Sequence, residues 1–311
     1  MDSARIYFSV DKKLEFFINP GSNGPNCVQP SPSNPSDPNY SYIWDFAEFT
    51  FNSSCLYFNI TYVDFVSLPM AVTLKTTSGS TDHVSGMPLN GVRNICKALN
   101  SQAIIDGQPW SSLIQTDSSG KVLRVISPNL AIQLNPFLFS GYFDNYVNQV
   151  WQNYSSSTLA VDTQAQWGVV SGTVANGMFN FNNCSFGKPT SQDIFSCSTG
   201  PFACGSNDET NCLIPRLAAS FNRSTLLTDS KAPDPNGPTS FYNNPVTNYY
   251  AKAIHDVLLD GRGYAFPYDD VAATGGPDQS GSVYNSNPQL LSIAVGGNGA
   301  FVDPNSPIIN D

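Results

Sequence analysis

The chain carries little charge, and most of the charge that it carries is acidic. Charged residues fill 12% of its 311 positions, about half of the roughly 25% that is usual for globular proteins. Asp and Glu number 24 against 14 Lys and Arg, which gives a formal net charge of −10. Nucleic acids and anionic membranes attract basic surfaces, so neither is expected as a partner. A neutral polymer is compatible with this balance.

Several signatures of catalysis are also missing. The sequence contains no GxSxG, no Walker or Rossmann glycine pattern and no CxxC pair, which removes support for a nucleotide site and a common zinc site. His255 beside Asp256 lies inside a predicted helix, so a structural histidine is favoured over a Ser-His-Asp triad. No apolar run approaches the ~20 residues of a membrane span. We therefore expect no metal, no organic cofactor and no membrane association.

Seven cysteines and six Asn-X-Ser/Thr sequons favour a secretory origin. Cys197, Cys204 and Cys212 lie close together and predict a disulfide-stapled loop, with zinc ligation as the rival interpretation. The first residues do not form a charged region followed by an apolar stretch. We expect the mature part of a secreted protein, with a cytosolic protein as the alternative. The sequons fall at Asn39, Asn52, Asn59, Asn153, Asn183 and Asn222.

Strand-like and helix-like blocks alternate along the chain. The strand-like blocks are residues 1–85, 157–186 and 262–311, and the helix-like blocks are residues 86–156 and 187–261. Within them, LRVISPNLAIQL and GYAFPYDDV are predicted as strands. This order predicts a single, mainly β unit over residues 1–311 with α/β insertions. The insertions would form a second, mixed lobe, and a groove between the lobes would suit an extended ligand.

The most informative stretch is a predicted β-hairpin that carries one carboxylate on each strand. Its polar positions are Glu48, Thr50 and Asn52 in the first strand, DFAEFTFN, and Tyr57, Asn59 and Thr61 in the second, LYFNITYVD. Polar and apolar residues alternate with the period of a strand that has one polar face. Glu48 and Asp64 are the two acids, and two carboxylates that flank one bond are the minimum equipment of a glycoside hydrolase.

Asp64 is out of phase with this alternation. Strict alternation would place it on the apolar face, whereas its neighbours Val63 and Phe65 are themselves apolar. A β-bulge near Tyr62 would return Asp64 to the polar face, and bulges often re-aim side chains beside active sites. The alternative interpretation is that Asp64 only caps local backbone groups.

Five motifs, AEFTFN, YVDFVSLP, DIFSCSTGPF, NRSTLL and DGRGYAFPYDDV, follow one another along the chain. Together they resemble fungal members of glycoside hydrolase family 64, which are β-1,3-glucanases with a thaumatin-like core. The resemblance covers nearly the whole chain. It implies a β-sandwich or barrel lobe facing a mixed α/β lobe across a wide, electronegative groove. It also implies that β-1,3-glucan binds there and that laminari-oligosaccharides are released with inversion at the anomeric carbon.

The resemblance also implies a role for each residue of the hairpin. The proton-donating glutamate of the family corresponds to Glu48, and its aspartate base corresponds to Asp64. The sugar-contacting positions correspond to Thr50, Asn52, Thr61 and Tyr57. A family tryptophan is replaced by Tyr57, which keeps an aromatic ring but changes the outermost subsite. Glu48 must keep its proton, which requires a raised pKa, and Asp64 must be ionised with room for a water, at roughly 6.5–9.5 Å between the carboxyl groups.

A second acidic pair, Asp269 and Asp270, ends the GYAFPYDD stretch. From the residues alone, the pair either adds negative potential to a cleft or caps a turn. The stretch is similar to the closing acidic segment of thaumatin-type plant proteins. We therefore include both residues among the candidate substrate-binding residues.

Two functions from different classes fit these observations. The first is a secreted inverting β-1,3-glucanase, and the second is a non-catalytic glucan-binding or antifungal wall protein on the same scaffold. The presence of both acids favours the enzyme, because a binding module tolerates the loss of either. We expect a monomer, secreted or associated with a cell wall. A glycan on Asn52 or Asn59 would obstruct the groove, so both sequons should be unmodified or point away.

Overall fold

The computed structural model describes residues 3–22, 24–205, 207–277, 279–297 and 299. In these ranges the strands are β1 (Ala4–Ser9), β2 (Phe17–Gly21), β3 (Gly24–Val28), β4 (Trp44–Phe51), β5 (Leu56–Ile60), β6 (Phe65–Val66), β7 (Met70–Thr76), β8 (Thr81–Val84), β9 (Ile114–Thr116), β10 (Val122–Ile126), β11 (Leu159–Asp162), β12 (Val169–Ala175), β13 (Met178–Asn180), β14 (Ser185–Phe186), β15 (Lys231–Ala232), β16 (Ser282–Asn285) and β17 (Pro288–Val295). The α-helices are α1 (Gly91–Asp106), α2 (Pro128–Leu134), α3 (Asp144–Tyr154), α4 (Ser191–Ser196), α5 (Asp208–Arg223) and α6 (Tyr249–His255). The described chain is thus mainly β with some helices, as predicted. None of these helices combines the length and the apolar character needed to cross a membrane.

The predicted hairpin is confirmed as strands β4 and β5 of a four-stranded antiparallel sheet in the order β1-β4-β5-β16. Its inner face is apolar, because Ala47, Phe58, Ile60 and Val283 are buried in the core. Polar and apolar residues alternate in the sequence because one face of the sheet packs on the core and the other face is polar, as expected.

The remaining strands form four further sheets, in the orders β17-β7-β8, β6-β10-β9, β14-β13-β12-β11-β15 and β2-β3. The helices all fall inside the two blocks predicted to be helical. The division into two lobes stays a prediction, and two ladders cross its boundaries: β6 pairs with β10, and β15 pairs with β11. The end of the last predicted block, residues 300–311, lies outside the described residues.

Two strand predictions were wrong, the first of them only in its second half. In LRVISPNLAIQL the strand β10 is followed by helix α2, which Ser127 caps by accepting a hydrogen bond from the Leu130 amide at 3.3 Å. Serine at the N-cap followed by proline is a helix-start signal that outweighed the apolar alternation. GYAFPYDDV contributes only an isolated bridge at Tyr264 and then forms turns, since Pro267 cannot donate to a ladder.

The predicted disulfide staple is also absent. All seven cysteines lie in the described ranges, and all are free. Cys197 is fully buried, donates to the Ile194 carbonyl and accepts from the Asn222 amide, whereas Cys204 is exposed. One apolar core, which draws residues from both the strand-like and the helix-like blocks, holds the described chain together without these bonds.

Candidate active site

Neighbouring strands place a transverse row of polar side chains on the outer face of the four-stranded sheet. Arg5 in β1 lies opposite Glu48 in β4, Glu48 opposite Asn59 in β5, and Asn59 opposite Ser282 in β16. Residues directly opposite each other in antiparallel strands point to the same face and contact each other. The polar face expected from the hairpin thus extends across four strands.

This row opens into a depression of about 290 Å³. Its lining residues are Ser3, Arg5, Gln29, Glu48, Phe49, Thr50, Tyr57 and Asn59. Three predicted site residues, Glu48, Thr50 and Tyr57, therefore come together. Sequence reasoning missed Arg5 and Gln29, because only strand pairing and the return of the chain after β3 bring them here. Among the residues that the structure describes, no group of three or more His, Cys, Asp or Glu side chains is placed to hold a metal.

Glu48 is held by the guanidinium of Arg5. Nη2 and Nε of Arg5 lie 2.9 and 3.0 Å from Oε1 of Glu48, and Nη1 donates to Oε1 of Gln29 at 2.6 Å. The Tyr7 hydroxyl donates to the same Gln29 oxygen, and the guanidinium lies over the Phe46 ring. The Glu48 side chain is 37% exposed. Its surroundings are thus cationic and partly solvated, unlike the apolar or anionic environment expected for a proton donor.

Asp64 lies where the chain leaves this sheet. Strand β5 ends at Ile60, Thr61 forms a bridge with Tyr264, and the chain bends at Val63 and Asp64 before entering β6 in another sheet. The β4–β5 register runs without interruption to Ile60, so the predicted β-bulge is replaced by a change of sheet.

Two hydrogen bonds fix this bend. The Tyr250 hydroxyl donates to the Tyr62 carbonyl at 2.6 Å, and the Ser127 amide donates to the Asp64 carbonyl at 2.8 Å. Both partners come from helical blocks far along the chain, which explains why the local pattern could not show the bend.

The carboxylate of Asp64 is shielded and unpartnered. Burial raises the pKa of Asp64, the Arg5 guanidinium opposes that shift, and the negative charge of Glu48 adds to it. No residue in the described part of the chain hydrogen-bonds this carboxylate, so the alternative role as a backbone cap has no support. The charges of Arg5 and Glu48 thus both act on the pKa of Asp64.

Asn52 and Thr61 lie at opposite ends of the hairpin and make local contacts. Asn52 is exposed, and its Oδ1 accepts from the Ser54 and Cys55 amides at 2.9 and 3.2 Å, which closes the turn. Thr61 is buried, and its Oγ1 lies 3.5 Å from the Val63 amide. Their predicted contacts with sugar stay predictions.

Asp269 and Asp270 have opposite surroundings. Asp269 is fully buried and binds Arg223 at 3.0 Å and His255 at 2.7 Å, so in this conformation it has no surface to offer a ligand. His255 accordingly has the structural role that was favoured over a triad. Asp270 is exposed. Burial raises its pKa, and Tyr264, whose hydroxyl lies 3.3 Å from that of Tyr57, opposes the shift.

A model of the β-1,3-glucanases of glycoside hydrolase family 64 matches residues 1–295. The chain therefore belongs to glycoside hydrolase family 64. Two similar proteins are bacterial glucan endo-1,3-β-glucosidases. The one from Arthrobacter sp. (strain YCWD3) is 31% identical over 317 residues, 99% of this chain and 54% of its own length. The one from Cellulosimicrobium cellulans is 30% identical over 302 residues, 94% of this chain and 52% of its own length.

The chain thus spans about half the length of these curated relatives. Both are bacterial, whereas the motifs resembled fungal members. Among solved structures, a laminaripentaose-producing β-1,3-glucanase in complex with laminaritetraose has a TM-score of 0.83 at 32% identity, covering 94% of this chain and 77% of that one. A family 64 β-1,3-glucanase domain from Clostridium beijerinckii has a TM-score of 0.74 at 28% identity, covering 94% and 75%.

Proposed function

We propose that this chain is a glucan endo-1,3-β-glucosidase that hydrolyses β-1,3-glucan of the laminarin and curdlan type by an inverting mechanism. Glu48 is the general acid and Asp64 is the general base. The observation that carries the proposal is the carboxylate of Glu48, held by Arg5 at an open polar depression, with the unpaired carboxylate of Asp64 at the bend that follows the same hairpin. The names of the curated relatives and the laminaritetraose complex of a similar enzyme support the choice of substrate.

The acid step uses the free oxygen of Glu48. Both contacts from Arg5 fall on Oε1, and in the described residues no hydrogen bond reaches Oε2. A sugar that enters the depression displaces water from this oxygen and lies against it, and in the acid role this oxygen carries the proton to be transferred. The proton on Oε2 then passes to the glycosidic oxygen as the bond breaks.

The base step uses Asp64, which takes a proton from a water on the opposite face of the sugar. Because burial raises the pKa of Asp64 while Arg5 opposes the shift, Arg5 helps to keep the base ionised at mildly acidic pH. The absence of a hydrogen-bond partner among the described residues leaves its oxygens available for that water. A separation of roughly 6.5–9.5 Å between the two carboxyl groups is part of the proposal.

Further parts of the site would hold the polymer. Hydroxyl and amide groups of Thr50, Asn52 and Thr61 bind sugar hydroxyls, the Tyr57 ring stacks on a sugar face, and Asp270 adds negative potential. In this proposal the wide groove lies between a thaumatin-like β-lobe and a mixed lobe. The protein is a secreted monomer that acts on the β-1,3-glucan of fungal cell walls.

The test is product release from laminarin and curdlan by wild type, Glu48→Gln and Asp64→Asn, with glucan pull-down on the same samples. Both variants should fold, still bind and lose about 10²–10⁴-fold in rate. Early products followed by NMR should carry the α-anomer. Asp208→Asn, at an exposed position at the start of α5, is the matched control and should keep wild-type activity. Binding without cleavage by wild type would instead leave the non-catalytic glucan-binding protein.

A further inference from the structure

Asn59 occupies the centre of the polar row, between Glu48 and Ser282. Its residue surface is 8% exposed, and it lines the depression. Its side-chain Oδ1 is buried and has no hydrogen-bond partner in the part of the chain that the structure describes. The sheet thus holds a polar amide against the candidate site without using its acceptor.

This arrangement is unfavourable for the fold alone. Leaving a buried acceptor unpaired forfeits the hydrogen bond to water that it made in the unfolded chain, and the great majority of buried polar side-chain atoms have a partner. Asparagine is also depleted in β-strands, where branched and aromatic residues are favoured. An apolar residue at position 59 would serve the sheet better.

The same fold pairs a buried asparagine fully elsewhere. Asn39 is completely buried, its Oδ1 accepts from the Glu15 amide at 2.7 Å, and its Nδ2 donates to the Glu15 carbonyl and to Asp37, both at 2.9 Å. The unpaired amide of Asn59 is therefore a local property of the depression.

We propose that Asn59 is a substrate-contacting residue: rotation of its amide about the Cβ–Cγ bond brings the buried acceptor to the depression, where the amide exchanges hydrogen bonds with a hydroxyl of the glucosyl unit bound against Glu48. The inference rests on the proposed function. An amide offers both a donor and an acceptor, which matches a sugar hydroxyl that is also both. Asn59 lies directly across the ladder from Glu48, so a sugar in contact with one side chain is within reach of the other.

The test variant is Asn59→Leu, whose side chain has the same branching and the same number of heavy atoms as asparagine but is larger and has no polar atoms. Its melting temperature should equal or exceed that of wild type, because the unpaired acceptor is removed. Its affinity for laminaritetraose, measured by calorimetry, and its kcat/KM on laminarin should each fall on the order of tenfold, the loss expected when a single hydrogen bond to a sugar hydroxyl is removed. Asn59→Thr keeps a donor and an acceptor and favours strands, so it should recover part of both.

Asn39→Leu is the matched control. It removes a fully paired asparagine outside the depression, so it should lower the melting temperature and leave affinity per folded molecule unchanged. Wild-type affinity and kcat/KM in Asn59→Leu would overturn the inference and leave the proposed function intact. If wild type binds laminaritetraose without cleaving glucan, the affinity loss still supports the role of Asn59 while the proposed hydrolysis fails. No binding by wild type overturns both.

Discussion

Two arginine–carboxylate pairs of similar length have different surroundings in this protein. Arg223 and Asp269 are 3.0 Å apart with side chains 3% and 0% exposed, and His255 and the Ala265 amide also bind Asp269. Arg5 and Glu48 are 2.9 Å apart with side chains 32% and 37% exposed, and both contacts from Arg5 reach a single carboxylate oxygen. The first pair has its carboxylate enclosed by partners, whereas the second leaves an oxygen open to a depression.

The buried pair stabilises the fold, whereas the exposed pair belongs to the candidate active site. Burial alone would raise the pKa of Asp269, but His255 and Arg223 hold it below its usual value. At the candidate site, the pKa of Asp64 is raised, because burial there has no hydrogen-bonded cation to offset it. A carboxylate whose oxygens are all bound by protein groups stabilises the fold. A carboxylate with an unpaired oxygen is available to a substrate.

The largest expected effect comes from breaking the buried pair. Asp269→Ala leaves the Arg223 guanidinium buried without its counter-charge, and it should lower the free energy of unfolding by about 3–5 kcal/mol. Arg5→Met, which breaks the exposed pair, should cost no more than ~1 kcal/mol. Chemical denaturation of both variants at neutral pH measures the contrast. Equal losses would show that burial does not separate the two pairs.

A third buried carboxylate sharpens the comparison. Asp45 is fully buried and accepts from the amides of Phe46, Ser67 and Leu68, and burial raises its pKa to about 7. Its pKa in the unfolded chain is about 3.9, so between these values the folded state binds the extra proton. The free energy of unfolding should therefore fall as pH rises from about 4 to 7, by at most ~1.4 kcal/mol per pH unit.

Denaturation at successive pH values checks this dependence. Asp45→Asn cannot ionise and should flatten the slope between about pH 4 and 7. The contribution of Asp269 to the free energy of unfolding should change with pH in the opposite direction. Its pKa is lowered in the folded state, so this contribution is present at neutral pH and is lost as pH falls below about 4. An unchanged slope in Asp45→Asn would contradict the assignment of this pH dependence to Asp45.

At the exposed pair the expected effect is on catalysis. Arg5→Met removes the contacts that orient Glu48 and the charge that opposes the raised pKa of Asp64. We expect kcat/KM to fall on the order of tenfold, and the acidic limb of its pH profile to move to higher pH, because more of Asp64 is then protonated at a given pH. Arg5→Lys keeps the charge and should leave the limb in place. A fall in kcat/KM without a shift of the acidic limb would show that Arg5 only orients Glu48.

The smallest expected effect concerns Tyr57. Its ring lines the depression, and its hydroxyl lies 3.3 Å from that of Tyr264. Tyr57→Ala removes the stacking surface and should weaken laminaritetraose binding about fivefold, in line with ~1 kcal/mol for an aromatic contact. Tyr57→Phe removes only the hydroxyl and should change affinity by less than about twofold. Titration calorimetry measures the affinity of both variants. Equal losses of affinity would show that Tyr57 contributes through its hydroxyl and not through its ring.

Local sequence patterns predicted much of this protein. The alternation around Glu48 and Thr50 placed both on the polar face of a hairpin, because a strand has a side-chain period of two and one face must cover the core. The helical spacing of the 86–156 and 187–261 blocks likewise located the helices. The order of short motifs indicated the family to which the chain belongs.

Other features depend on contacts between residues far apart in sequence, which no local pattern encodes. Strand pairing brings Arg5 to Glu48, and the chain segment after β3 brings Gln29 to Arg5. Hydrogen bonds from Tyr250 and Ser127 fix the bend that carries Asp64. Asp269 and Asp270 are adjacent in sequence, yet one is enclosed by Arg223 and His255 and the other is exposed. Residue type and period specify which side chains are present on a face, whereas packing of distant segments sets their burial, their charge partners and their availability to a ligand.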